Sequence, residues 1–189
     1  MLEHGGGLAV LAVRKLRRSC EKRLSDLPLP DPFTLDGLVA NIGEKLGRTI
    51  NLVPIDDDGD MRTACGLRVK TPTRTFILYR RRSSVVQDQH VIFHELTHEW
   101  LDHTTDLSPD ELQCLVPHEI QQFIAQFAEA SVVQARSSRY ATLQELEAEL
   151  GAVIIGRLRA RCRPSGSDFV SQLERTLCHP VAPPRRDRS

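Results

Sequence analysis

Apolar residues recur along this chain with two different periods, and the switch between them marks out the elements. From 8 to 24 (LAVLAVRKLRRSCEKRL) leucines and valines fall at helical spacing, with Arg14, Lys15, Arg17, Arg18, Lys22 and Arg23 between them. That pattern predicts a basic amphipathic helix whose charges form a solvated face over a packed stripe. Pro28, Pro30 and Pro32 then break the chain. Thr34 is placed to cap a second helix, with Leu35, Leu38, Val39, Ile42 and Leu46 on one face and Gly47 at its end. Three strand candidates follow at 48–53, 64–70 and 75–79, separated by turn chemistry in DDDGD at 56–60 and TPTR at 71–74. From Ser84 onward the pattern is helical, over 84–102, 109–135 with a break near Pro117, 142–163 and 167–177.

A basic helix, short strands and then a run of helices predict an α+β domain, a small mixed sheet beside a helical body. A single domain is expected over 1–178, followed by a disordered Pro/Arg-rich tail at 179–189 (HPVAPPRRDRS, with its first residue His179). The 189 residues are 40% hydrophobic, enough to bury a core without staples. Lys plus Arg number 25 and Asp plus Glu 25, so no net charge draws the chain to nucleic acid or anionic lipid. No apolar run approaches the length of a spanning helix, and the first residues lack the order of an export signal. The five cysteines (Cys20, Cys65, Cys114, Cys162, Cys178) are odd in number and form no CxxC pair, which points to a reducing, cytoplasmic setting. The acidic turn resembles half of a calcium loop, but the twelfth position from Asp56 is Leu67 rather than Glu, so it reads as a plain turn.

Histidine usage changes the picture. Seven histidines in the chain would put about half a histidine in an average window of 14 residues, yet the window from His90 to His103 holds four. Within it, VIFHELTHEWLDH contains His94-Glu95-Leu96-Thr97-His98, an HExxH motif. On a helix, positions i and i+4 share a face, so both imidazoles can converge on one ion. Zinc accepts neutral imidazole nitrogen, and a catalytic site keeps one position open for water. Glu95 sits beside the first ligand, where its carboxylate can take a proton from that water. Val91, Ile92, Phe93, Leu96, Trp100 and Leu101 supply apolar faces that would bury such a helix. His90 lies one turn before His94, and His103 falls at the helix end, where a cation suits the dipole; both read as structural.

Catalytic zinc needs a third protein ligand. The pattern HExxHxxGxxH is excluded, because Leu101 and Thr104 stand where it needs Gly and His. A Glu from a later helix is the other solution, with Glu111, Glu119, Glu129, Glu145, Glu147 and Glu149 as candidates. The segment from Thr142 to Ile155 opens with a capping residue and runs into an apolar helix that would hold carboxylates against the core. Glu145 and Glu149 share a face, so one could bind metal while the other hydrogen-bonds a ligand histidine. Equally, these acids could be a solvated first turn complementing the helix dipole.

The chain resembles the ImmA/IrrE family of zinc metallopeptidases in their small form. The resemblance spans a basic helix, a Pro-containing linker, Cys65-Gly66-Leu67 in the strand region, HELTH at 94–98 and ELEAE at 145–149, which is similar to the family's EREAN/EREAE segment. It implies a zincin-like fold, Zn2+ held by His94, His98 and Glu145, and Glu95 as the catalytic base, with Glu149 behind the ligands and Glu147 next in line as a ligand. It further implies a cytoplasmic peptidase cutting a regulatory protein, such as a helix-turn-helix repressor or an antitoxin, with no direct nucleic-acid partner and no membrane. Two features depart from the family: Thr97 stands where it often has Gly, and the interval from His98 to Glu145 is longer than in many relatives. The alternatives are an inactive metal-binding regulator or toxin–antitoxin component that sequesters a partner, its site closed by His90 or His103, and a DNA-associated regulator working through Arg14, Arg17 and Arg18.

Overall fold

Helix caps and strand registers set the architecture in the computed structural model, which describes residues 5–55, 66–70, 72–82, 84–103, 118–119, 122, 126, 132–135 and 143–161. Helix α1 spans Gly5–Arg23. Helix α2 spans Leu35–Leu46, and Thr34 caps it by accepting a hydrogen bond from the Gly37 amide, as the sequence predicts. Its apolar stripe of Leu38, Val39 and Ile42 is buried. Gly47 ends the helix at φ 67°, a left-handed conformation that suits glycine, with the Arg48 amide donating back to the Gly43 carbonyl at 2.9 Å.

Four strands form one sheet in the order β1-β3-β2-β4: β1 (Thr49–Ile55), β2 (Gly66–Lys70), β3 (Arg74–Arg80) and β4 (Val132–Ala135). β1 runs parallel to β3, with Ile50 opposite Thr75 and Leu52 opposite Ile77. β2 is antiparallel to β3 on one side and to β4 on the other, with Val69 opposite Phe76 and Val133. In β3 the run from Thr75 to Leu78 is buried without alternation, so both faces of this central strand are covered. The mixed sheet with its helices is the α+β class expected from sequence.

One expectation fails in part. The predicted helix over 109–135 ends in a strand, since Val132–Ala135 pair with β2; two adjacent β-branched valines suit a pleated ladder better than a helix. The rest of that segment, apart from residues 118–119, 122 and 126, lies outside the described residues, as do the DDDGD turn, the 167–177 helix and the 179–189 tail.

Helix α3 (Val85–Trp100) and helix α4 (Leu143–Arg161) complete the body, each within about two residues of its predicted span. Leu38, Ile42, Ile77, Ile92, Leu96 and Ile155 are fully buried together, joining both helices to α2 and the sheet. Cys20, Leu24 and Leu27, on and just after α1, close the same core. Trp100 donates its indole N–H to the Arg23 carbonyl at 3.1 Å, fastening the end of α1 to the end of α3. No helix among the described residues is long and apolar enough to cross a membrane.

A buried charge cluster fixes α3 to the sheet. Glu99, 2% exposed, accepts from the Thr75 hydroxyl at 2.9 Å and lies 3.4 Å from both Arg48 and Arg68 and 3.6 Å from Lys70. Burial pulls the Arg68 guanidinium below its usual pKa, and the charge of Glu99 opposes that pull. A charge buried this deeply needs such partners, because desolvation is otherwise several kcal/mol.

Candidate metal centre

Helices α3 and α4 run antiparallel, so residues ascending one meet residues descending the other. Glu145 faces His98 at 3.9 Å, while Glu149 faces His94 at 3.3 Å and His90 at 2.9 Å. The crossing is close because Gly151 presents no side chain to Thr97: a Cβ there would lie 2.9 Å from the Thr97 Cβ, inside van der Waals contact. The residue before the second histidine is thus threonine, and the small residue that lets the helices approach is on the opposite helix.

The HExxH motif occupies the last turns of α3, as expected. Ile92, Phe93 and Leu96 turn into the core, and the His94 and His98 rings stand one turn apart with centroids 5.1 Å from each other. Donor atoms from His94, His98 and the Glu145 carboxylate all lie within 4.8 Å of one another, the cluster of this kind among the described residues. Two imidazoles and one carboxylate are a donor set that divalent zinc accepts.

Glu95, next to His94 in the chain, is buried, 3% exposed. β2 comes so close that a Cβ on Gly66 would sit 2.7 Å from Glu95 Oε1 and 3.1 Å from its Cδ. Only the bare backbone at Gly66 leaves room for the carboxylate.

Behind His98 the end of α3 folds back. The His103 amide donates to the His98 carbonyl at 3.0 Å and the Asp102 amide to the Glu99 carbonyl at 3.3 Å, the paired bonds of a Schellman ending. Such an ending brings the side chain two positions past the cap onto the last full turn. Here it lays His103 Nδ1 3.0 Å from His98 Nδ1. His103 Nε2 meets Glu147 Oε2 at 3.0 Å, and Arg23 Nη1 donates to Glu147 Oε1 at 2.8 Å. Burial pulls the His103 imidazole below its usual pKa, outweighing the attraction of Glu147.

The left-handed position of this ending is held by Asp102, at φ 51°. Asp tolerates that region better than most side chains. Its carboxyl accepts from Lys70 at 2.9 Å, which holds it below the ordinary carboxylate range. The Asp102 side chain is 84% exposed, so the pair contributes about 0–1 kcal/mol. Asp102→Gly should therefore stay within about 1 kcal/mol of the parent, trading the ion pair for an easier backbone, whereas Asp102→Val should lose about 2 kcal/mol or more. Urea midpoints of the two variants check this; equal losses would mean the left-handed residue is not what matters.

The structure thus brings His94, His98 and Glu145 together, and Glu149 lies beside His94 as the i, i+4 spacing allows. Glu147 is turned away from the cluster, with Arg23 and His103 on its two oxygens, so it does not stand as a ligand. His103 is structural, as expected, but buried rather than simply placed on the helix dipole: it is 3% exposed, with one ring nitrogen against His98 and the other on Glu147. The acidic first turn of α4 is correspondingly not a solvated face throughout, since Glu147 is buried. Glu119 is exposed and outside the cluster, while Glu111, Glu129, Thr142 and Cys65 lie outside the described residues. Gly66, Gly151 and Glu99 escaped the sequence reading as site-shaping residues. Comparison of the chain with protein-family models, with curated proteins and with solved structures finds no match.

Proposed function

We propose that this chain is a zinc-dependent endopeptidase of the zincin type that cuts a regulatory protein, such as a helix-turn-helix repressor or an antitoxin. The convergence of both HExxH histidines with a carboxylate from a second helix carries the reading. Histidine pairs at this spacing recur by chance; a carboxylate brought to them from a second, antiparallel helix is what supports a metal site here. The substrate class draws on the likeness of HELTH and ELEAE to the ImmA/IrrE segments.

His94, His98 and Glu145 would hold the ion. When bound, zinc supplies a Lewis acid that polarises the scissile carbonyl. The proton traffic falls to Glu95. Adjacent in sequence to His94 and buried against β2, its carboxylate would take a proton from the attacking water and hand it to the leaving amine. The bare backbone at Gly66 lets it sit there without displacing the strand.

Elemental mass spectrometry on untagged protein tests the site. About one zinc per chain is expected, lost in Glu145→Ala and kept, at saturating zinc, in Glu147→Ala and Glu149→Ala. A folded parent protein that carries no metal and refuses added zinc removes the proposal.

A further inference from the structure

We infer that His103, Glu147 and Arg23 form a directional hydrogen-bond relay that decides which nitrogen of His98 faces the metal position, making His103 a positioning residue of the site. Its use in catalysis rests on the peptidase reading; its geometry does not.

The direction follows from what each group can do. A guanidinium only donates, and an ionised carboxylate only accepts. Glu147 Oε1 takes its hydrogen bond from Arg23 Nη1 at 2.8 Å, and Oε2 takes one from His103 Nε2 at 3.0 Å. A neutral His103 ring that carries its proton on Nε2 has a bare Nδ1. That Nδ1 lies 3.0 Å from His98 Nδ1, so the proton between them must belong to His98. His98 is then left with a lone pair on Nε2, the atom that faces Glu145 across 3.9 Å. With Glu147 ionised and His103 neutral, each link permits one proton arrangement, and that arrangement aims a bare nitrogen at the place where zinc would sit.

The relay is anchored from three elements. Arg23, on α1, also donates to the Leu101 carbonyl at 3.3 Å, and its own carbonyl is held by Trp100. Glu147 comes from α4. Arg68, on β2, donates to the His103 carbonyl. Outer partners of this kind set the tautomer and orientation of a ligand histidine, and their loss typically costs 10–100-fold in metal affinity.

Two measurements test the relay. In the metal-free parent, long-range proton–nitrogen NMR of the imidazoles should show His98 protonated on Nδ1 and His103 on Nε2; a His98 proton on Nε2 overturns the inference. Zinc affinity, read by chelator competition, should fall 10–100-fold in His103→Leu. It should recover most of that loss in His103→Gln, whose amide oxygen can accept from His98 while its NH2 donates to Glu147. Parent-like affinity in a folded His103→Leu overturns the inference as well. If His103→Leu does not fold, the tautomers of the parent decide alone. A parent protein that binds no zinc removes the peptidase proposal, and the metal-free spectrum still decides the relay.

Discussion

Glu95→Gln should keep one zinc per chain and lose peptide hydrolysis by about 10²–10⁴-fold, the share a positioned general base typically contributes. The amide is nearly isosteric with the carboxylate, so the tight space beside Gly66 remains filled and α3 keeps its place against β2. Metal content should be unaffected, because the proposed donors are His94, His98 and Glu145 rather than Glu95. What the variant lacks is a group that can take a proton. The comparison is made by incubating parent and variant with a proteome-derived peptide library and counting new N-termini by mass spectrometry, zinc content being measured on the same samples. Undiminished cleavage by a zinc-loaded Glu95→Gln protein would remove Glu95 from its assigned role.

The largest structural effect is expected at Gly151. A methyl group there collides with the Thr97 side chain, including its Cβ at 2.9 Å, and that atom cannot rotate away because the α3 backbone holds it. Thr97 is also tied down by the bond from its hydroxyl to the Phe93 carbonyl at 2.7 Å. Alanine is worth about 1 kcal/mol more than glycine in a helix interior, but overpacking costs about 1–3 kcal/mol and more where neither side can give. The collision should win, because two long helices would have to part. Gly151→Ala should therefore shift the urea midpoint down and weaken zinc binding together, as Glu145 moves away from His98. Thr97→Gly in the same chain removes the three nearest colliding atoms, so the double variant should regain stability, with a coupling of about 1–3 kcal/mol between the two positions. A Gly151→Ala protein as stable as its parent would mean that the helices are not packed as closely as described.

What the sequence made legible follows a simple division. Local signals carried well: Thr34 and Gly47 bracket α2 because a cap hydroxyl and a left-handed glycine act within a few residues of themselves. The i, i+4 spacing of His94 and His98 carried for the same reason. Choosing among Glu145, Glu147 and Glu149 was harder, since spacing separates Glu147 from the other two but cannot say which side faces α3. The fold-back that buries His103 was illegible because its left-handed residue is Asp102, where a reader would look for glycine. Glu99, which no local pattern singles out, is a buried partner of Arg68 and Thr75 through contacts with distant strands. β4 went unseen because pairing with β2, and not local propensity, makes Val132–Ala135 a strand.

The antiparallel seam between α3 and α4 has one more consequence, for the length of chain between the donors. His98 and Glu145 are held in place by the Thr97–Gly151 approach and by Glu149 against His94, contacts that lie within the two helices. Between those helices the chain also carries the Asp102–His103 ending of α3 and strand β4, each fixed by its own contacts. Closure entropy for such a connection grows with the logarithm of its length, about 0.6 kcal/mol for each doubling. Apart from those fixed residues, the interval from His98 to Glu145 can change in length at little thermodynamic cost, while His94, His98 and Glu145 keep their mutual spacing.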